Sequence, residues 1–232
     1  MKEFEKEVSM LDKFRSDYIV HFFGAVMIPG KICMVTEFAQ YGSLQDLLNK
    51  QKRNPPRFSI KIKILLDSAK GIQYLHENGI LHRDIKPDNF LVVSLEENVK
   101  VNAKLTDFGS SRNINLLMTN MTFTKGIGTP KYMAPEILNR EHYKKQSDIY
   151  SFAITMLETI IWKDAYPKSD FRFPWEIADN VSAGKRSRLI QEVNDIELKQ
   201  LIENSWKQNQ KQRLTIEQIV NELQTIIEKY SK

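Results

Sequence analysis

The sequence predicts an α+β protein in which a small strand-bearing part precedes a larger helical part. Apolar stretches that fit strands are concentrated in residues 19–39, and beyond residue 43 apolar residues recur mainly at helical spacing. A chain of 232 residues with 41% hydrophobic and 27% charged content is long enough to bury a sizeable core. Because no repeat or low-complexity tract separates the two parts, we expect them to meet at a short joint.

The first part begins with a predicted helix and continues with two strands. Phe4, Val8 and Leu11 have helical spacing, and Glu7 falls on the same face. Two strands, "IVHFFGAVM" and "KICMVTEFA", flank a Pro-Gly pair that breaks regular structure.

The second part is predicted to be helical apart from one hairpin. Ser43 and Asp46 have the spacing of a capping box at a helix start, and residues 58–79 repeat apolar side chains before a terminal glycine. The stretches "FLVVSL" and "AKLTDF" form a predicted hairpin. "QSDIYSFAITMLETIIW" is apolar on most faces, which indicates a buried helix, and Thr215 with Gln218 caps a final amphipathic helix.

Charge and cysteine content exclude several classes of protein. Lys and Arg (34) exceed Asp and Glu (29) only slightly, and local clumps such as "KQKR" (50–53) fit a solvated surface better than a nucleic-acid partner. The longest apolar candidate for a membrane segment, residues 149–162, is too short and contains Glu158. The N-terminus does not resemble a signal peptide. Cys33, the only cysteine, fits a reducing compartment as a small buried hydrophobe, so we expect a cytoplasmic protein.

The stretch "HRDIKPDN" (82–89) places many charges directly before a predicted strand. Pro87 disfavours helix at Lys86, so a loop is predicted, on which Asp84 and Asn89 can converge. A carboxylate and an amide oxygen suit a hydroxyl proton and a magnesium ion, and Lys86 supplies positive charge for a phosphate. Taken alone, the stretch fits a charged surface loop equally well.

Two further segments follow this loop. "LTDFGSS" places Asp107 at the end of a strand, where it can share a metal ion with Asn89. Phe108 can fill a core, and Gly109 allows a sharp turn of the backbone. "GTPKYMAPE" follows at residues 128–136.

Together, H-R-D-x-K-x-x-N, D-F-G and A-P-E resemble, in order and spacing, the signature set of eukaryotic protein kinases. The resemblance extends from Phe4 to the final helix. It implies a two-lobed protein-kinase-like fold with a truncated N-lobe of one helix and two strands and a mainly helical C-lobe. Residues 1–39 are then a partial N-lobe with the hinge, and residues 40–232 are the C-lobe.

The resemblance implies roles for the residues of the motifs. Asp84 accepts the proton of the substrate hydroxyl or orients that hydroxyl, and Lys86 touches the transferring phosphate of ATP. Asn89 and Asp107 hold the magnesium ions. Thr129, together with Lys86, resembles serine/threonine kinases and is counted with the catalytic positions.

Nucleotide-binding residues are also implied. Thr36 resembles the gatekeeper, and the backbone of Glu37 and Ala39 resembles the hinge that meets adenine. Plain strand packing is the alternative for these three residues.

Further positions resemble structural and regulatory residues of the family. Leu11, Phe22, His82 and Phe108 resemble the stacked residues that join the lobes, or are simply core. Other matches are the helix glutamate that pairs with a strand lysine (Glu7), the acid that braces the catalytic loop (Asp148) and a buried ion pair (Glu136 and Arg213).

Regulation is implied at Arg83, which resembles the arginine that receives a phosphate of the activation segment. Thr119, Thr122 and Thr124 are the candidate phosphorylation sites, and a polar disordered loop is the alternative.

The subtype and the departures from the family leave alternatives open. "DIYSFAITMLE" and "SWKQNQKQRLT" resemble the tyrosine-kinase-like branch, so a dual or tyrosine preference is an alternative to serine/threonine specificity. No G-x-G-x-x-G loop and no V-A-x-K strand precede the first helix. We therefore expect an incomplete serine/threonine kinase catalytic domain that acts on a protein substrate, and a noncatalytic kinase-fold interaction module is the alternative.

Overall fold

The structure is a computed structural model that describes residues 8–9, 11–28, 31–113 and 130–230. The predictions for Glu7, Thr119, Thr122, Thr124 and Thr129 lie outside the described residues.

The first part of the chain contains a two-stranded sheet, which we call the upper sheet. Strand β1 (Phe22–Ile28) pairs antiparallel with β2 (Lys31–Thr36), with a register irregularity near the start of β1. Both predicted strands are confirmed. Cys33 is exposed, so the expectation that it is buried is wrong. The reason is that the upper sheet leaves apolar side chains exposed to solvent.

The upper sheet is joined to the rest of the protein by the residues that precede β1. The N–H of Val20 donates to the carbonyl of Leu105 (2.9 Å), and the N–H of Leu105 donates to the carbonyl of Tyr18 (2.8 Å). A Cβ atom on Gly71 would lie 2.8 Å from that same Tyr18 carbonyl oxygen. Glycine is therefore required at position 71 for this close approach of the backbone.

The second part is mainly helical, as predicted. Its helices are α1 (Leu44–Lys50), α2 (Phe58–Glu77), α3 (Pro135–Leu138), α4 (Lys145–Ile161), α5 (Pro174–Ser182), α6 (Ile196–Ser205) and α7 (Ile216–Tyr230). Single 3-10 turns lie at Pro87–Asn89, Pro130–Tyr132, Arg188–Glu192 and Gln210–Gln212. The capping box predicted at the start of α1 is present, because Ser43 and Asp46 each bond the other's backbone N–H.

Two short sheets flank the charged loop. Strand β3 (Ile80–Leu81) pairs antiparallel with β6 (Arg112–Asn113), and β4 (Phe90–Val92) pairs antiparallel with β5 (Ala103–Leu105). The predicted hairpin is confirmed as β4 and β5, although its strands are shorter than the apolar stretches. The β3–β6 pair was not predicted, since two residues are too few for a periodic signal.

The core of the second part is centred on α4. Its residues from Ser147 to Ile160 are all buried, which confirms the predicted buried helix. Helix α2 packs against α4 and α7, and the apolar stripe of α7 is buried as its periodicity predicts. No helix among the described residues has both the length and the apolarity needed to cross a membrane.

Candidate active site

The charged loop lies between β3 and β4 and is held in an uncommon conformation. Arg83 adopts the left-handed region with φ of 73°, and Asp107 does so in the neighbouring segment with φ of 61°. Non-glycine residues in this region are uncommon and often lie at functional sites. The loop ends in the 3-10 turn Pro87–Asn89, where proline occupies the first position.

Three side chains of this loop converge on one another, as the loop interpretation predicted. The Nζ atom of Lys86 lies 2.6 Å from Oδ2 of Asp84. The Nδ2 atom of Asn89 donates to the Asp84 carbonyl at 2.7 Å and to Oδ2 at 3.1 Å. Because the amide nitrogen of Asn89 faces Asp84, its amide oxygen points away, and no described residue donates a hydrogen bond to it.

Asp107 is positioned beside this group through the backbone. The carbonyl of Asn89 accepts the N–H of Thr106 at 3.0 Å, and Asp107 follows directly. The carbonyl of Thr106 lies 2.9 Å from Nε2 of His82. The N–H of Gly109 donates to Oδ1 of Asp107 at 3.3 Å, so the backbone turns sharply here.

Three of the four residues proposed to join the lobes belong to one hydrophobic core, and the fourth, His82, contacts it. Leu11 and Phe108 are buried, and Phe22 packs partly buried against the same core. The ring of His82 is also buried and makes an edge contact with Phe108, with 5.6 Å between ring centroids.

Asp148, at the start of α4, is fully buried and binds the backbone of the charged loop. Its Oδ1 accepts the N–H of Arg83 (2.9 Å), and its Oδ2 accepts the N–H of His82 (3.0 Å). Tyr143 donates its hydroxyl to Oδ1 (2.8 Å), and Nε2 of His76 lies 2.9 Å from Oδ2. Burial acts to raise the pKa of Asp148, but the hydrogen bonds and the electrostatic interaction with His76 outweigh burial and hold the pKa below its usual value.

Arg83 has an incompletely satisfied guanidinium. The group lies over the ring of Tyr143, 5.6 Å from its centroid. The buried Nε atom of Arg83 has no hydrogen-bond partner among the described residues. A buried guanidinium N–H that lacks an acceptor is suited to an anion.

The predicted hinge follows β2. The carboxylate of Glu37 binds Nζ of Lys104 through both oxygens, at 2.7 and 2.8 Å, and also accepts the N–H of His21 at 2.6 Å. Thr36 is the last residue of β2 and pairs with Phe22. In the part of the chain that the structure describes, the carbonyl of Glu37 and the N–H of Ala39 form no hydrogen bond.

The predicted ion pair lies away from the loop. Arg213 binds both carboxylate oxygens of Glu136, at 2.8 and 2.7 Å, and both residues are buried. Ser147 donates to the same carboxylate at 2.8 Å. This network connects α3, the start of α4 and the residues before α7.

Sequence reasoning missed several partners of the predicted residues. His76, Tyr143 and Lys104 carry no motif signal, and they lie 5 to 72 residues from the acids that they contact. Only the fold brings His76 and Lys104 to those acids.

Comparisons with known proteins agree with the motifs. A family model for the protein kinase domain matches residues 1–223. A probable serine/threonine-protein kinase of Dictyostelium discoideum, gdt9, is 34% identical over 231 residues, which cover 88% of this chain and 14% of the relative. The serine/threonine-protein kinase STY46 of Arabidopsis thaliana is 34% identical over 228 residues, or 97% of this chain and 37% of the relative.

A third relative belongs to a virus. A putative serine/threonine-protein kinase/receptor of Acanthamoeba polyphaga mimivirus, R831, is 33% identical over 233 residues, covering 98% of this chain and 13% of the relative. The chain thus spans well under half the length of these relatives. None of these comparisons favours a noncatalytic module. The chain belongs to the protein kinase family, whose members use ATP and a divalent metal ion to phosphorylate proteins.

Proposed function

We propose that this chain acts as the catalytic domain of a serine/threonine protein kinase of the tyrosine-kinase-like branch. It transfers the γ-phosphate of ATP to a serine or threonine hydroxyl of a protein. The observation that carries this proposal is the convergence of Asp84, Lys86 and Asn89 on one point of a strained loop.

Asp84 is the general base, which accepts the proton of the substrate hydroxyl. Its Oδ2 is bound by Lys86 and Asn89, whereas its Oδ1 has no hydrogen-bond partner among the described residues. Oδ1 accepts the proton of the substrate hydroxyl as the hydroxyl oxygen bonds to the γ-phosphorus. The bond from that phosphorus to its bridging oxygen breaks, and ADP leaves. General-base assistance of this kind contributes a rate factor of about 10² to 10⁴.

The phosphates of ATP are bound by three residues, directly by Lys86 and through magnesium by Asn89 and Asp107. The Lys86 ammonium is only 2.6 Å from Asp84 and supplies positive charge beside the transferring group. The outward amide oxygen of Asn89 and the carboxylate of Asp107 are hard donors that fit magnesium. No cluster of three or more His, Cys, Asp or Glu that could hold a metal lies in the described ranges. A magnesium site typically has one or two protein ligands, and the phosphates of the substrate complete its coordination. When bound, the ion neutralises charge on the phosphates.

The adenine of ATP is assigned to the hinge. Glu37 offers its carbonyl and Ala39 its N–H, because neither is used by the described part of the protein, and Thr36 lies beside them as the gatekeeper. In the same scheme the N-lobe and hinge end at residue 39, and the C-lobe begins at residue 40.

Regulation is assigned to Arg83. Its Nε has no hydrogen-bond partner in the part of the chain that the structure describes, and this atom and the position next to Asp84 suit a phosphate on Thr119, Thr122 or Thr124. If alanine at all three threonines leaves phosphotransfer unchanged, this assignment is wrong. Thr129 is kept among the proposed catalytic positions because, with Lys86, it resembles serine/threonine kinases.

The partner and compartment follow from the same proposal. The partner is a protein substrate and not a nucleic acid, since the basic residues form no stripe interleaved with aromatic side chains. The free, exposed Cys33 supports a cytoplasmic location.

The test compares two substitutions on one loop. We expect Asp84→Asn to lower phosphate transfer from labelled ATP to a generic protein substrate by about 10² to 10⁴. Asp88→Asn is the matched control, because Asp88 is exposed on the same loop and should leave the rate within about twofold. Equal rates for the two variants, or binding of Mg·ATP without any transfer by the unaltered protein, would favour the noncatalytic module.

A further inference from the structure

A pocket outside the proposed catalytic group lies between α1 and the 3-10 turn Pro130–Tyr132. We call it the α1 pocket, and its volume is about 370 Å³. Its lining includes Leu48, Asn49, Lys52, Lys131, Glu158 and Asp164.

The α1 pocket is adjacent to the loop that carries Asp84. Helix α1 packs directly against the turn Pro87–Asn89, and Ser43, which caps α1, forms a bridge with Leu91 in β4. Tyr132 follows Lys131 of the pocket lining. Burial raises its pKa well above the usual value, and the negative charges of Glu158 and Asp88 raise it further. Asp88, in the turn Pro87–Asn89, therefore acts electrostatically on Tyr132.

The buried acid of the pocket is already satisfied. The side chain of Glu158 is only 2% exposed, and its Oε1 binds Nζ of Lys131 (2.7 Å) and the N–H of Ala165 (2.9 Å). Its Oε2 accepts the hydroxyl of Tyr132 at 2.7 Å. A carboxylate with three donors at these distances has little capacity left for a basic group of a ligand.

The rim of the pocket, by contrast, has unpaired positive charge. Lys52 lines the pocket, and Arg53 follows it directly in the "KQKR" clump after α1. Both are exposed, and neither forms an ion pair with any residue from 11–28, 31–113 or 130–230. Lys131, by contrast, is paired with Glu158 and Asp164 and adds no unpaired charge. Asp164 is the one partly exposed acid of the lining, and its Oδ1 already accepts from the backbone N–H of Tyr166 and from Nζ of Lys131.

We propose that the α1 pocket binds an aspartate or glutamate side chain of the protein substrate, close to the serine or threonine that is phosphorylated. This inference rests on the proposed function. A carboxylate complements the unpaired Lys52 and Arg53, whereas a basic side chain meets these cations and finds Glu158 occupied.

The test measures peptide binding separately from catalysis. Three fluorescently labelled serine peptides differ only in whether their flanking residues are Glu, Gln or Lys, and their affinities are measured by fluorescence anisotropy. We expect the Glu peptide to bind about threefold more tightly than the Gln peptide, as exposed ion pairs allow, and this preference to shrink at high salt. Equal affinities, or tighter binding of the Lys peptide, would overturn the inference.

Charge reversal identifies the site. Lys52→Glu should abolish the preference for the Glu peptide, whereas Lys211→Glu, at an exposed lysine remote from the pocket, should preserve it. An unchanged preference in Lys52→Glu, with circular dichroism confirming its fold, would place the acidic site elsewhere. A preserved preference without phosphate transfer by the unaltered protein would contradict the proposed function alone.

Discussion

The guanidinium of Arg213 binds both oxygens of the Glu136 carboxylate, at 2.8 and 2.7 Å, across 77 residues of sequence. Arg213 also donates to the carbonyls of Lys207 and Gln146, both at 2.8 Å. Every charge of the pair is therefore matched inside the protein, and the loss of one partner leaves the other buried and unpaired.

Replacement of Arg213 by methionine should lower the free energy of unfolding by about 3–5 kcal/mol, because an unpaired carboxylate is costly to bury. Urea denaturation followed by circular dichroism measures this change. The control is Lys229→Met, which removes the exposed Lys229–Glu197 pair and should cost no more than about 1 kcal/mol. Similar losses in the two variants would contradict a structural role for the buried pair.

Asp148→Asn should lower the rate of phosphate transfer by about 10²-fold, because a misplaced catalytic loop loses its alignment. The amide group cannot accept from His82, Arg83, Tyr143 and His76 at once as the carboxylate does. Initial rates at saturating ATP measure the effect. In Tyr143→Phe a single hydrogen bond to Asp148 is lost, so its rate should fall far less, and the reverse order of the two variants would refute this account.

Lys61 should make the stability of the protein depend on alkaline pH. Its Nζ donates to the Ile160 carbonyl at 3.0 Å and lies 4.8 Å from the ring centroid of Trp162, and burial lowers its pKa from 10.5 to about 8. Between these values the unfolded chain holds a proton that the folded protein lacks. The free energy of unfolding therefore rises with pH in this window, by a total of about 3 kcal/mol.

Lys61→Met should remove that rise, since methionine fills a similar volume without a titrating group. Urea midpoints measured at intervals from pH 7.5 to 10.5 in both proteins give the difference attributable to Lys61. The exposed Lys211→Met is the control and should follow the unaltered protein. A difference between Lys61→Met and the unaltered protein that does not change with pH would show that Lys61 is not desolvated.

The predicted hinge offers a test through nucleotide binding. The Lys104–Glu37 pair has side chains only 17% and 23% exposed, and it fixes the residue whose carbonyl is assigned to adenine. Lys104→Met should weaken the binding of Mg·ATP by about two- to fivefold, the effect of about 0.5–1 kcal/mol, as measured by calorimetry. The exposed pair Lys100–Asp17, near the same strand, provides the control variant Lys100→Met. If both variants bind Mg·ATP equally, the pair does not position the hinge.

Local patterns were sufficient to predict much of this fold. The capping box at Ser43, the apolar periodicity of α2 and α7 and the Pro87 break in the charged loop each depend on residues close in sequence. For the same reason the convergence of Asp84 with Asn89 was predictable, because five residues on a loop can reach one another.

Other features depend on contacts that no local pattern encodes. The apolar run around Cys33 predicted burial, but burial of a strand depends on what covers its faces, and Cys33 is exposed. Helices α5 and α6 are short and were not predicted. The contact of His76 with Asp148 joins two helices through residues that are 72 positions apart in sequence. It could therefore be identified only from the packed structure.

The connection of Tyr18 and Val20 with Leu105 has a mechanical consequence. Leu105 lies two residues before Asp107, and its backbone is bonded to the segment that leads into β1. A rotation of the upper sheet is therefore transmitted through these backbone hydrogen bonds to β5, the strand that precedes Asp107. The position of the Asp107 carboxylate, which we propose as a magnesium ligand, is in this way coupled to the orientation of the upper sheet.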